Sequence, residues 1–142
     1  MVKKCYSFEL KNDLSELQNL CQNCEEIGRS INVSDKSIFE MNLALDELFT
    51  NIISYGFNDC REHIIKISIT VDGDQMEMRI EDDGIPFNPL ESKTPDFQCG
   101  IEDCKIGGLG IHLIKKLMDD LQYQRVADKN ILVLKRKLQK AG

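Results

Sequence analysis

The chain has 142 residues, the length of one domain, and can bury roughly 68–70% of its unfolded surface without disulfides or metal. Apolar residues make up 42% and charged residues 30%, the balance of a globular rather than a disordered chain. A net charge of −6 argues against nucleic-acid binding. No apolar run nears the ~18 residues that a membrane helix requires.

The stretch from Met1 to Phe8 has no signal-peptide pattern, so a cytoplasmic location without a membrane anchor is expected. Residues 3–10 alternate, with Tyr6, Phe8 and Leu10 on one side, and read as a half-buried strand. Asn12 or Asp13 can cap a following helix, and Glu16 is placed for a capping box with Asp13. Leu14, Leu17, Cys21, Cys24 and Ile27 form its apolar stripe. Ser34 or Asp35 restarts a second helix, which runs to Tyr55 or Gly56. A hairpin follows: Ile65, Ile67, Ile69 and Val71 alternate, Asp72-Gly73 turns the chain, and Met76, Met78 and Ile80 alternate on the return.

Residues 88–107 show no apolar period, and a loop of that length in a compact domain is commonly a lid. A helix is predicted over 109–119. Strands near 121–126 and 131–138 are joined by a turn at Asp128-Lys129-Asn130. The order β-α-α-β-β-lid-α-β-β predicts an α+β fold, a two-layer sandwich with a mostly antiparallel mixed sheet and helices on one face. Of the six cysteines, only Cys21 and Cys24 are closely spaced, and His63 and His112 lie near neither. Free thiols are therefore expected in place of a zinc set, with a metal or redox role as the alternative.

Three features carry chemistry. The second helix is apolar almost all round, yet Glu47, Asn51 and Ser54 share one stripe at i, i+4 and i+7. Buried unpaired, such groups cost about 2–7 kcal/mol each, so they need partners, and oxygen ligands in a row suit Mg²⁺. A solvated helix edge is the alternative. Period two places Asp82 on the same face as Met76, Met78 and Ile80, directed at the core side, unless the strand has already ended in a turn. Gly107-Gly108-Leu109-Gly110 opens a helix whose first amides can meet an anion, although glycines there can also serve packing alone. One ligand satisfies all three: adenine at Asp82, Mg²⁺ at Asn51 and phosphates at the glycines.

At these residues the chain resembles the Bergerat-fold (GHKL) ATPases, which include histidine kinase catalytic domains, Hsp90, gyrase and MutL. The likeness runs from about residue 5 to 138. Glu47-Leu48-Phe49-Thr50-Asn51 matches the asparagine box, Asp82-x-Gly84 the adenine box, and Gly108-Leu109-Gly110 the glycine box. Pro86-Phe87-Asn88-Pro89 and the run from Gly107 to Asp119 are most similar to the anti-sigma-factor serine/threonine kinases.

The resemblance implies a single ATP-binding kinase domain over residues 1–142 that uses ATP and Mg²⁺. Its substrate would be a hydroxyl on a STAS-domain anti-sigma-factor antagonist, and it would also bind a sigma factor or another regulator. Asn51 would hold Mg²⁺ and Glu47 would act as base or orient the hydroxyl. Asp82 would accept from the adenine amine and Gly84 would make room for the ring. Gly107, Gly108, Leu109 and Gly110 would line the phosphates, with Lys93 or Lys105 as candidate phosphate ligands in the lid. Members of that family often dimerise, so a homodimer is among the expected states.

Tyr55 replaces the family's histidine, and Asp128-Lys129-Asn130 replaces its late Gly-Gly-Asn turn; neither position is expected to carry the chemistry. The main alternative is a non-catalytic ATP-binding regulatory module that controls a partner. Glu47 argues against it, because binding alone does not need that carboxylate. A histidine kinase catalytic half and a scaffold without nucleotide are the remaining alternatives.

Overall fold

The computed structural model describes residues 3–91 and 107–139; for 107–109 only the backbone is described. Five strands form one sheet in the order β1-β2-β3-β5-β4: β1 Lys4–Lys11, β2 Ile64–Asp72, β3 Gln75–Asp82, β4 Asp120–Val126 and β5 Lys129–Lys137. All four pairings among the described residues are antiparallel. Three helices, α1 Leu17–Ser30, α2 Asp35–Tyr55 and α3 Gly107–Leu117, supply the second layer. The α+β sandwich expected from the element order is the observed architecture.

Alternation builds the interface between the layers. Ile65, Ile67, Ile69, Met76, Met78 and Ile80 are fully buried on one sheet face, joined by Leu132 and Leu134 of β5. Against them lie Leu45, Leu48, Phe49 and Ile52 of α2 and Leu20 and Cys24 of α1. Each such side chain contributes about 1.5–3 kcal/mol by leaving water. Ser34 caps α2 by accepting from the Ser37 amide, and Gly56 ends it with its own amide on the Ile52 carbonyl.

Several local expectations are corrected. Asp13 caps a short 3₁₀ turn, Leu14–Glu16, rather than α1 itself. Glu16 does not close a capping box onto Asp13, because its carboxylate accepts from the Lys11 amide at 2.9 Å. That turn takes Leu14 out of phase with the helix and leaves it 51% exposed. Cys21 is exposed too, so the buried stripe of α1 is Leu20, Cys24 and Ile27. Phe39 of α2 is 65% exposed, so the helix is not buried all round.

Asp72 pairs with Gln75, which makes Gly73-Asp74 the hairpin loop. α3 starts at Gly107, two residues before its expected start. The late turn is Ala127-Asp128, both at positive φ (48° and 66°), and Asn130 is a strand residue. Cys5, Cys21, Cys24 and Cys60 are free, and no group of three potential metal ligands occurs among the described residues. Burial pushes the Cys24 thiol up to about 12, which makes it inert at neutral pH. Cys99, Cys104, Lys93, Lys105 and most of the expected lid lie outside the described residues. Among the described residues, no helix is long and apolar enough to cross a membrane.

Candidate nucleotide-binding site

Asp82 ends β3 and is 4% exposed, on the core side where period two places it. Its Oδ1 accepts from the Gly84 amide at 2.9 Å and from Asn130 Nδ2 at 3.0 Å. Among the described residues no hydrogen bond reaches Oδ2, so the carboxylate is fixed by one oxygen and keeps the other for a donor. Burial pushes its carboxyl above the ordinary carboxylate value, and the two hydrogen bonds pull the other way.

The turn after Asp82 is tied down on two sides. The Ile85 amide donates to the Gly56 carbonyl at the end of α2, at 2.8 Å. Arg125 of β4 donates to the Gly84 carbonyl at 2.7 Å. Gly84 lies so close to α2 that a Cβ would sit 2.0 Å from the Gly56 carbonyl oxygen. Only glycine fits there without moving backbone.

Asn130 is the residue that the sequence reading missed. It pairs directly with Asp82 across β3 and β5 and is 3% exposed. Its Nδ2 donates to Asp82 and to the Ile85 carbonyl at 2.7 Å. Its Oδ1 accepts from the Phe87 amide at 3.2 Å and from the Tyr123 hydroxyl. The segment Asp128-Lys129-Asn130, not expected to carry the chemistry, thus places one side chain against Asp82. Period two with Leu132 and Leu134 was the signal for it, since it puts Asn130 on the inward face as it does Asp82.

The second cluster lies on α2. Asn51 is 6% exposed, and its Nδ2 donates to the Glu47 carbonyl at 2.7 Å and to Glu47 Oε1 at 3.1 Å. With the amide nitrogen spent on Glu47, Oδ1 is the atom left for a cation. Burial raises the Glu47 carboxyl, the Asn51 bond opposes this, and Asp46 reinforces it. Ser54, the third residue of that stripe, is exposed and joins neither group.

Gly107, Gly108, Leu109 and Gly110 form the start of α3, which packs on α2. Gly110 faces Glu47 directly. The donor set suits a magnesium-bound purine nucleotide: a half-satisfied buried carboxylate, a cradle that a Cβ would fill, one amide oxygen and a helix N-terminus.

A fold of this kind, with a buried acid at the end of a central strand and an amide-bearing helix beside it, matches a described class. The model of the histidine kinase-like ATPase domain matches residues 10–136, and the chain belongs to that family. Among its relatives, the serine/threonine-protein kinase BtrW of Bordetella bronchiseptica is 28% identical over 96 residues, 68% of this chain and 68% of that protein. The serine-protein kinase RsbW of Listeria innocua is 31% identical over 94 residues, 63% of this chain and 59% of that protein. The crystal structure of the RsbU and RsbW domains of Rv1364c from Mycobacterium tuberculosis superposes with a TM-score of 0.69 at 13% identity. That match covers 98% of this chain and 34% of the other, and it shows the shared fold.

Proposed function

We propose that the chain is an ATP-dependent serine/threonine protein kinase that acts as an anti-sigma factor and phosphorylates a STAS-domain antagonist protein. The observation that carries this reading is the Glu47–Asn51 pair, in which one side chain is spent on orienting the other. A module that only binds nucleotide has no need of a half-buried, aimed carboxylate next to its cation ligand. The names of the relatives support the kinase class. The acidic chain acts in the cytoplasm as one ATP-binding unit, alone or as a homodimer, and also binds a sigma factor or another regulator.

In this reading Asp82 Oδ2 accepts the adenine amino group while Asn130 and the Gly84 amide hold Oδ1. Gly84 leaves room for the ring. Asn51 Oδ1 holds Mg²⁺, which neutralises charge on the phosphates when bound. Gly107, Gly108 and Leu109 at the start of α3 line the phosphate end, and Gly110 follows them against Glu47. Glu47 takes the proton from the serine or threonine hydroxyl as its oxygen bonds to the γ-phosphorus. The bond from that phosphorus to the bridging oxygen breaks, and ADP leaves. Most of the acceleration is positioning and charge stabilisation, with the base adding about 10²–10⁴-fold.

The test is incubation with labelled ATP, Mg²⁺ and purified STAS-domain proteins. Label is expected on a STAS serine or threonine, falling at least 100-fold with Glu47→Gln and lost with Asn51→Ala. Tight ATP binding by the wild type without transfer to any STAS protein refutes the kinase reading in favour of a binding module.

A further inference from the structure

Gly110 is the fourth residue of α3. Gly110 stands at the end of the first turn of α3, and donation of a backbone amide to an anion is open to any residue, so a phosphate does not by itself explain a glycine here. Contact with Glu47 does. A Cβ on Gly110 would lie 2.1 Å from Glu47 Cδ, 2.4 Å from Oε1 and 2.5 Å from Cγ. Ordinary carbon contacts are about 3.5–4.0 Å, so the carboxyl end of Glu47 occupies the volume that a side chain would fill. Asn51 Nδ2 meets the same Oε1 from α2. The carboxylate is thus held between two helices, by a donor on one and by a missing methyl on the other.

We propose that Gly110 is a positioning residue for Glu47: its bare backbone seats the carboxylate against α3 and aims it, and phosphate contact falls to Gly107, Gly108 and Leu109. This rests on the kinase reading and goes beyond it by separating two jobs within one glycine box. The atoms in the way of a methyl are the far end of a flexible side chain. Alanine at 110 therefore displaces Glu47 toward water and leaves the backbone in place. Alanine also favours the helix over glycine.

The test is Gly110→Ala in the full chain. The melting temperature is expected at or above wild type, and MgATP affinity within threefold by calorimetry. KM for ATP stays unchanged while kcat for transfer to the STAS protein falls at least 10-fold. The Asn51 side-chain amide resonances, assigned with Asn51→Ala, shift in Gly110→Ala as the contact with Glu47 Oε1 is lost. Adding Gly110→Ala to Glu47→Gln leaves the residual rate unchanged.

A tenfold loss of MgATP affinity in Gly110→Ala overturns the inference in favour of a phosphate donor. Unchanged kcat with unchanged Asn51 side-chain amide resonances also overturns it. If Gly110→Ala fails to fold, the same change is made in Glu47→Ala: folding there supports the steric link, and failure in both refutes it. A wild type that transfers to nothing sinks the kinase reading, while the Asn51 side-chain amide resonances still decide the role of Gly110.

Discussion

Replacing Asn130 with alanine removes four hydrogen bonds at once, to Asp82, Ile85, Phe87 and Tyr123. A neutral bond contributes about 0.5–1.5 kcal/mol net, and one to a charged carboxylate about 1.5–3 kcal/mol. The Tyr123 hydroxyl is only half-buried and regains water, so the expected loss is about 3 kcal/mol. For a chain of this length that lowers the melting temperature by about 10 °C. Asp82 also loses the donor that fixes Oδ1, so MgATP affinity is expected to fall about tenfold. Urea denaturation and calorimetry measure both quantities.

Asn130→Asp makes the stricter comparison, because it sets a second carboxylate where Nδ2 now lies 3.0 Å from Asp82. Two such acids must share a proton, which raises the folded-state pKa of the pair above its unfolded value. The variant should therefore gain stability as pH falls from 8 to 5. A loss under about 1 kcal/mol in Asn130→Ala, with unchanged nucleotide affinity, refutes the claim that Asn130 holds the adenine turn.

Gly84→Ala forces the Gly56 carbonyl to move, so it should both destabilise the protein and weaken nucleotide binding at least tenfold; wild-type affinity would contradict the close approach. Glu40 Oε1 pairs with Nη2 of the buried Arg136 at 3.6 Å, and among the described residues Arg136 Nη1 has no hydrogen-bond partner. Glu40→Ala is expected to cost about 3 kcal/mol by denaturation, whereas replacing both residues with apolar ones should cost less. His63 is bonded to Asp59 at 2.7 Å and to Asp83 at 2.9 Å. The Asp59 bond raises the imidazole above its ordinary value; burial opposes it, and the weaker Asp83 bond adds to the rise. Its contribution should be complete below about pH 6.5 and vanish as pH rises through the raised value. The stability gap between wild type and His63→Gln, compared at pH 5.5 and 8.5, checks the sign.

What could be read from the sequence followed the strength of local periodicity. α2 was legible to within a residue because Ser34 and Gly56 both carry cap chemistry, and β2 and β3 because the alternation from Ile65 to Val71 and from Met76 to Ile80 allows one phase. The inward direction of Asp82 came from the same alternation. α1 was misphased because a 3₁₀ turn, which no composition marks, separates Leu14 from the helix proper. The late turn was misplaced because Ala127 and Asp128 take left-handed conformations without the glycine that usually signals them. Asn130 was hidden by that error: a polar residue assigned to a turn attracts no question about its partners. The His63–Asp83 pair and the Gly110–Glu47 contact join segments 20 or more residues apart in sequence, and only the packed fold brings them together.

The segment from Asp82 to Phe87 is anchored to three other parts of the chain, the end of α2, β4 and the start of β5. Such a mounting has little freedom to respond to what else the pocket holds. If purine is read there, spent and fresh nucleotide share the same grip at that end, and any preference between them arises at the opposite end, around Glu47 and Asn51.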